Sequence, residues 1–221
     1  MPQTRPAKFR TISIATLVAG FALAGCAQNQ PEEETQDQGE SVEIGGEGAQ
    51  PDDRIEPYAT AEIMNPDDEA VAHVEFHERD GGQTEVTVTA ENLDPGFYGF
   101  HIHAIGECEP DSADPEDAEN TGDFMSASGH LTDDESEEHP DHAGDMPALL
   151  VNEDGTATMA FRTDRIDESL LMDEDGSAVM IHSEADNYAN IPERYLDDDQ
   201  PDADTLNTGD AGERLACGVI E

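Results

Sequence analysis

Positive charge is what this chain has least of. Its 221 residues hold nine Lys and Arg against 54 Asp and Glu, for a net charge of −45. Arg5, Lys8 and Arg10 precede Cys26, so residues 27–221 contain six arginines and no lysine. Nucleic acid and bare anionic lipid are bound by neutralising phosphate with Lys and Arg, and acid spread over the whole chain argues against both as partners. Helical periodicity is missing too. Outside a short stretch near Asp167 to Met172, no segment sustains apolar residues at a 3.6-residue spacing, which speaks against a helical bundle. No apolar run suits a permanent membrane helix. The length fits one domain of ordinary size with appendages.

What is present is a foldable pattern within an acidic chain. Apolar residues make up 35% of the sequence, and several segments alternate Val, Ile or Phe with polar residues, unlike a disordered acidic polymer. A carboxylate-rich, lysine-free surface suits a protein that works in concentrated salt, where screening shortens self-repulsion to a few ångströms.

Residues 1–26 read as a targeting segment. Arg5, Lys8 and Arg10 form a positive start, Thr11 to Ala24 is a short stretch rich in small and apolar residues, and Leu23-Ala24-Gly25-Cys26 closes it. The segment resembles a bacterial lipoprotein signal, which implies acylation of Cys26, a lipid anchor as the membrane contact, and a mature protein outside the cytoplasm, where disulfides persist. Residues 27–57 read as a linker, because ten acids face one arginine and large apolar residues are almost confined to Val42, Ile44 and Ile55. The folded domain is expected over residues 58–221.

From Tyr58 onward, short alternating segments are separated by turn signals. Ala72, Val74 and Phe76 alternate with His73, Glu75 and His77, and Asp80-Gly81-Gly82 turns the chain into Val86 and Val88, which predicts a hairpin. Further strands are expected at 98–104, 148–151, 156–161, 178–183 and 214–220. The class is all-β, a sandwich or barrel. Residues 108–129 and 186–210 read as long loops, which in a compact domain are usually functional or tied down. His73 and His77 read as exposed strand histidines.

The other six histidines carry the chemistry. On a strand, residues two apart share a face, so His101 and His103 project together while Phe100 and Ile102 point into a core. His182 likewise faces away from Val179 and Ile181, which places a metal on the outer wall beneath the loops. His130, His139, His142 and Asp145 fall in one loop-like stretch, and Pro140 disfavours a helical His139. Three imidazoles and a carboxylate suit zinc, whereas an all-imidazole set suits copper. With seven candidate ligands, two four-coordinate metals must share one imidazole.

Gly99-Phe100-His101-Ile102-His103, Gly129-His130, His142-Ala143-Gly144-Asp145 and Gly209-Asp210-Ala211-Gly212-Glu213-Arg214-Leu215-Ala216-Cys217-Gly218 resemble the copper/zinc superoxide dismutases of the secreted bacterial type. The resemblance spans roughly residues 58–221. It implies an eight-stranded Greek-key barrel with long functional loops, and a copper-based disproportionation of superoxide into dioxygen and hydrogen peroxide. On these positions, His101, His103, His130 and His182 would bind copper, while His130, His139, His142 and Asp145 would bind zinc. His130 would bridge the two and serve catalysis as a general acid, and Asp186 would orient one histidine of each site. Arg214 would hold the anionic substrate, and Cys108 would be disulfide-bonded to Cys217. The span from His130 to His142 is shorter than the family pattern, and Ser128 stands where a glycine is common. The contrasting reading is a non-catalytic cell-surface copper or zinc binder on the same barrel. A homodimer is compatible with the sequence, which does not set the oligomeric state.

Overall fold

The computed structural model describes residues 56–134, 137–196 and 200–221. The leader 1–26 with Cys26, and the 27–57 linker apart from its last two residues, lie outside the described residues. Among those described, no helix is long and apolar enough to cross a membrane.

Among the described residues eleven strands form the framework: β1 (Ala59–Met64), β2 (Ala70–Arg79), β3 (Gln83–Ala90), β4 (Gly96–Tyr98), β5 (Phe100–His103), β6 (Ser112–Ala113), β7 (Thr121–Gly122), β8 (Leu149–Val151), β9 (Ala157–Thr163), β10 (Ala178–His182) and β11 (Arg214–Val219). Seven make an antiparallel sheet in the order β5-β10-β11-β1-β2-β3-β9, and β4 pairs with β8. Neighbours such as β11 with β1 and β3 with β9 are distant in sequence, as a Greek-key connection requires. With β4 and β5 counted as one strand broken at Gly99, the curled sheet and β8 contain the expected eight strands, and the short β6–β7 ribbon is an addition within a loop.

The alternating pattern works as a one-sided burial code. Val74 and Phe76 of β2 and Val86 and Val88 of β3 are almost completely buried, and they meet Phe100, Ile102, Val179 and Ile181 from the other end of the sheet. The expected hairpin is present, with eight residue pairs in register from Ala72 opposite Ala90 to Arg79 opposite Gln83. Its outer face is polar: Glu85 accepts from Arg79 at 2.6 Å and from Arg162 at 2.8 Å. One expectation there needs correcting. The His77 side chain is only 12% exposed and bonds Glu75 at 3.3 Å, so it is a mostly covered sheet histidine, while His73 is exposed as read. His77 contacts Glu75, two residues away on the same face of the same strand, and strand alternation alone does not reveal how far the ring is covered.

The opposite end of the sheet is covered on both faces. Ala178, Met180 and Cys217 pack outward against Phe124 and Ala127 of the 108–129 loop, forming a second small core. Cys108 and Cys217 are disulfide-bonded with a Cα separation of 5.6 Å, which fastens that loop to β11. The described parts of the two long loops contain a 3₁₀ turn at Met125–Ala127, another at Glu193–Tyr195, and helix α2 (Ala203–Thr208) capped by Asp202. The helical signal near Asp167 becomes the single turn α1 (Glu168–Leu171), with Asp167 as its N-cap.

Candidate metal centre

β5 supplies His101 and His103, and its free edge gathers the other ligands. The backbone N–H of Leu131 donates to Ile102 O at 2.8 Å, Ile102 N–H donates to Gly144 O at 2.9 Å, and Gly144 N–H donates to Leu131 O at 2.8 Å. His103 thereby lies opposite His130, and His101 opposite Asp145. Gly144 is required for this closeness, because a Cβ there would sit 2.2 Å from Ile102 O. β10 lies on the other side of β5 and adds His182.

Two overlapping groups of ligand atoms result, each with all members within 4.8 Å of one another: His101, His103, His130 and His182, and then His101, His130, His139 and Asp145. His101 and His130 belong to both groups. His142 stands at the margin of the second group, with Nδ1 3.1 Å from Asp145 and its ring 6.2 Å from that of His139.

Proton positions in the first group follow from the partners. His103 Nδ1 donates to Ser128 O at 2.7 Å and His182 Nδ1 donates to Gly212 O at 3.2 Å. A carbonyl oxygen only accepts, so both rings carry their proton on Nδ1 and present a lone pair on Nε2. Those two Nε2 atoms face each other 3.3 Å apart. Two acceptors at that distance repel unless a cation binds both. His101 Nε2 donates to Asp186 at 2.7 Å and leaves Nδ1 buried without a partner, and His130 Nε2 is also buried and unpaired. Unsatisfied buried nitrogens are costly, and four aimed lone pairs suit a cation that prefers imidazole.

In the second group, His130 Nδ1 bonds Asp145 at 2.7 Å, while His139 Nδ1 and His142 Nδ1 approach the same carboxylate at 3.0 and 3.1 Å without the angles of a hydrogen bond. Ligands around a tetrahedral zinc stand roughly 3.3 Å apart by its bond lengths, so this spacing fits an ion among them. Asp186 joins the groups. Its carboxylate takes the Nε2 protons of His101 and His139 at 2.7 and 2.8 Å and accepts the Tyr188 amide at 2.7 Å.

The electrostatics separate the two groups of residues. Burial, with His130 and Arg214 nearby, holds His103 well below the usual imidazole range, and His182 is depressed by burial and by His101. Burial also lowers His130 to about 4, despite Asp145. At His139 burial is overcome by the carboxylates of Asp145 and Asp186, which raise it to about 9. Asp145 and Asp186 are both held below the usual carboxylate range, their burial outweighed by the histidines.

Arg214 lies against the first group. Its Nη1 donates to Phe124 O and its Nη2 to Ser128 O, each at 2.6 Å, so Ser128 O serves Arg214 and His103 together. Burial lowers its pKa, yet a guanidinium remains charged at any physiological pH. Phe124 and Ser128, whose carbonyls accept from Arg214, both adopt positive φ, 60° each.

Several residues that build the site escaped sequence reading. Tyr188 stacks on the His139 ring, and Leu206 of α2 accepts the His139 amide at 2.7 Å. Gly209 sits so close that a Cβ would lie 2.2 Å from Asp186 Oδ1 and 2.5 Å from His139 Nε2. The available signal was its place in the Gly209-Asp210-Ala211-Gly212 motif. Arg194, in the 186–210 segment, is exposed and packs over Tyr195.

A family profile described as copper/zinc superoxide dismutase matches residues 70–220. The chain is 41% identical over 175 residues to a Cu-Zn superoxide dismutase of Mycolicibacterium paratuberculosis, covering 74% of each. It is 36% identical over 158 residues to one of Escherichia coli, covering 69% of this chain and 80% of that one. A solved SOD-like protein from Bacillus subtilis shares 29% identity at a TM-score of 0.54, covering 72% of this chain and 96% of the other.

Proposed function

Because the chain belongs to the copper/zinc superoxide dismutase family, a family that uses copper and zinc, we propose that it is an active dismutase working outside the cytoplasm. The observation that carries this reading is the placement of Arg214. Its guanidinium shares Ser128 O with His103, one link from the facing lone pairs of His103 and His182. Metal storage needs no fixed cation at that point, whereas capture of an anion does.

In this reading His101 Nδ1 and the Nε2 atoms of His103, His130 and His182 would hold copper, and His130, His139, His142 and Asp145 would hold zinc. Bound copper supplies a one-electron couple that an imidazole-rich site tolerates in both oxidation states. One superoxide gives up an electron and leaves as dioxygen, and a second takes up that electron with two protons to become hydrogen peroxide. Arg214 draws and orients the anion through guanidinium N–H groups beyond the two bonded to carbonyls. Whenever it does not hold copper, His130 Nε2 can accept a proton from water and pass it to the reduced product, its ring being kept in place from the Nδ1 side. Asp186 keeps His101 and His139 turned toward their ions.

The disulfide supports a location away from the reducing cytoplasm. Acylation of Cys26, with residues 27–57 as a tether for the 58–221 domain, completes the proposal as a membrane-anchored lipoprotein. The acid-rich surface is read as an adaptation to salt. The test is superoxide decay with folded, copper- and zinc-loaded protein: turnover with one peroxide per two superoxides supports the reading, and loss limited to one equivalent per copper contradicts it. With so little positive charge the rate should hold or rise from about 0.1 to 2 M salt, where an attractively steered enzyme would slow.

A further inference from the structure

His142 is held differently from the other histidines of the centre. His101 and His139 have a ring nitrogen on Asp186, His103 and His182 each bond a carbonyl, and His130 bonds Asp145. Among the described residues, no hydrogen bond orients the His142 ring. Its backbone is held instead: its N–H donates to Asp145 Oδ2 at 3.0 Å, and its carbonyl accepts from Arg165 Nη1 at 3.3 Å.

Arg165 does more than touch His142. The same Nη1 donates to Pro140 O at 2.7 Å, and Nη2 reaches Asp141 at 3.4 Å. One guanidinium therefore grips all three residues that follow His139 in this shortened loop. Arg165 leaves the end of β9, where its own amide donates to Thr163 Oγ1 at 3.1 Å, so the grip is fixed to the sheet. The surroundings add a reason for a cation here. Arg165 lines an open hollow of about 680 Å³ with the carboxylates of Asp133, Glu137, Glu138, Asp141 and Asp164. Their mutual repulsion favours a splayed loop, which would move His142 away from Asp145.

We propose that Arg165 is a positioning residue for zinc, clamping the Pro140–His142 backbone so that His142 converges with His139 and Asp145. This rests on the reading of His139, His142 and Asp145 as zinc ligands. A lysine cannot replace the clamp fully, because a single ammonium lacks the fork that spans two carbonyls and a carboxylate.

The test compares full-length, oxidised protein of the original sequence with Arg165→Ala, Arg165→Lys and His139→Ala. Zinc affinity is measured by competition with a chromophoric chelator, copper affinity likewise, and cobalt(II) in the zinc position reports ligand geometry through its visible absorption. Arg165→Ala should weaken zinc about 10- to 100-fold, the usual range for groups that orient ligands, and alter the cobalt spectrum. Copper affinity should stay within about threefold and the metal-free melting temperature within about 2 °C, with Arg165→Lys intermediate in zinc affinity. Unchanged zinc affinity in both Arg165 variants, or a parallel loss of copper affinity and metal-free stability, would overturn the proposal. If Arg165→Ala does not fold, Arg165→Lys decides by the same zinc measurement. If His139→Ala leaves zinc affinity intact, the zinc assignment itself has failed, separately from the role of Arg165.

Discussion

His101, His103 and His182 are carried by adjacent strands, whereas His139, His142 and Asp145 are carried by a loop, and the two halves of the centre are made rigid by different means. In the strand half, the ladder between β5 and β10 fixes the backbone, and each ring needs one further bond, to Asp186, Ser128 O or Gly212 O. In the described part of the loop half, an isolated bridge sets Asp145 opposite His101, and no strand pairing holds His139 or His142. His139 depends on Leu206, Tyr188 and Asp186 from the 186–210 segment, and His142 depends on Arg165 and Asp145. Ligands on a sheet inherit their geometry from the core, while ligands on a short loop need a separate partner for nearly every degree of freedom. Damage to loops should therefore harm the zinc set first.

The largest effects belong to the strand half. His103→Ala or His182→Ala should each reduce dismutation by more than about 100-fold, beyond the usual cost of losing an orienting partner, and strip copper while leaving a folded barrel by circular dichroism. Near-normal activity in either variant would remove the distinction between the halves. Next comes the fastening of the 108–129 loop. The disulfide closes a sequence separation of 109, for which chain entropy gives about 4 to 5 kcal/mol as an upper value. Cys108→Ser with Cys217→Ser should lower stability by up to that amount in denaturant titrations, and loosen Arg214 through Phe124 and Ser128.

A selective blow to the loop half is Gly209→Ala. The added Cβ would enter the space between Asp186 Oδ1 and His139 Nε2, at a glycine with φ of 61°. Zinc affinity should fall about 10- to 100-fold, with a smaller loss for copper transmitted through His101. Equal losses at both metals, measured by chelator competition, would show that the halves are not separable.

Acidity should also separate them, in the metal-free protein taken as starting state. His139, raised to about 9, must release its proton before zinc binds, so apparent zinc affinity should climb up to about tenfold per pH unit and level off above pH 9. His130, lowered to about 4, and His103 and His182, held below the usual imidazole range by burial, are already neutral, so these three should add little pH dependence to copper affinity above about pH 5. The sign for stability follows. The raised pKa of His139 stabilises the metal-free fold fully below its unfolded value near 6.5, and that contribution is lost as pH rises through about 9. Calorimetry across pH 5 to 10 checks it.

The same contrast explains what was legible in the sequence. His101, His103 and His182 could be placed on one wall because strand alternation has a fixed period of two. His130, His139, His142 and Asp145 came from spacing and family likeness, since irregular backbone has no period to read. Arg165 was illegible because it is 23 residues past His142 in sequence, and only folding brings it to the loop. Tyr188 and Gly209 were hidden for a similar reason: each acts by contact across the 186–210 segment. α2 was missed because six residues give too short a window for a 3.6-residue pattern.

The most direct test of the account is to load the metal-free, oxidised protein with copper alone, zinc alone or both, and to follow superoxide decay normalised to folded protein. Copper alone should support catalytic decay, zinc alone should support none, and the pair should match or exceed copper alone with greater thermal stability. Turnover with zinc alone, or none with copper alone in protein shown to hold it, would contradict the assignment of redox chemistry to the strand-borne histidines.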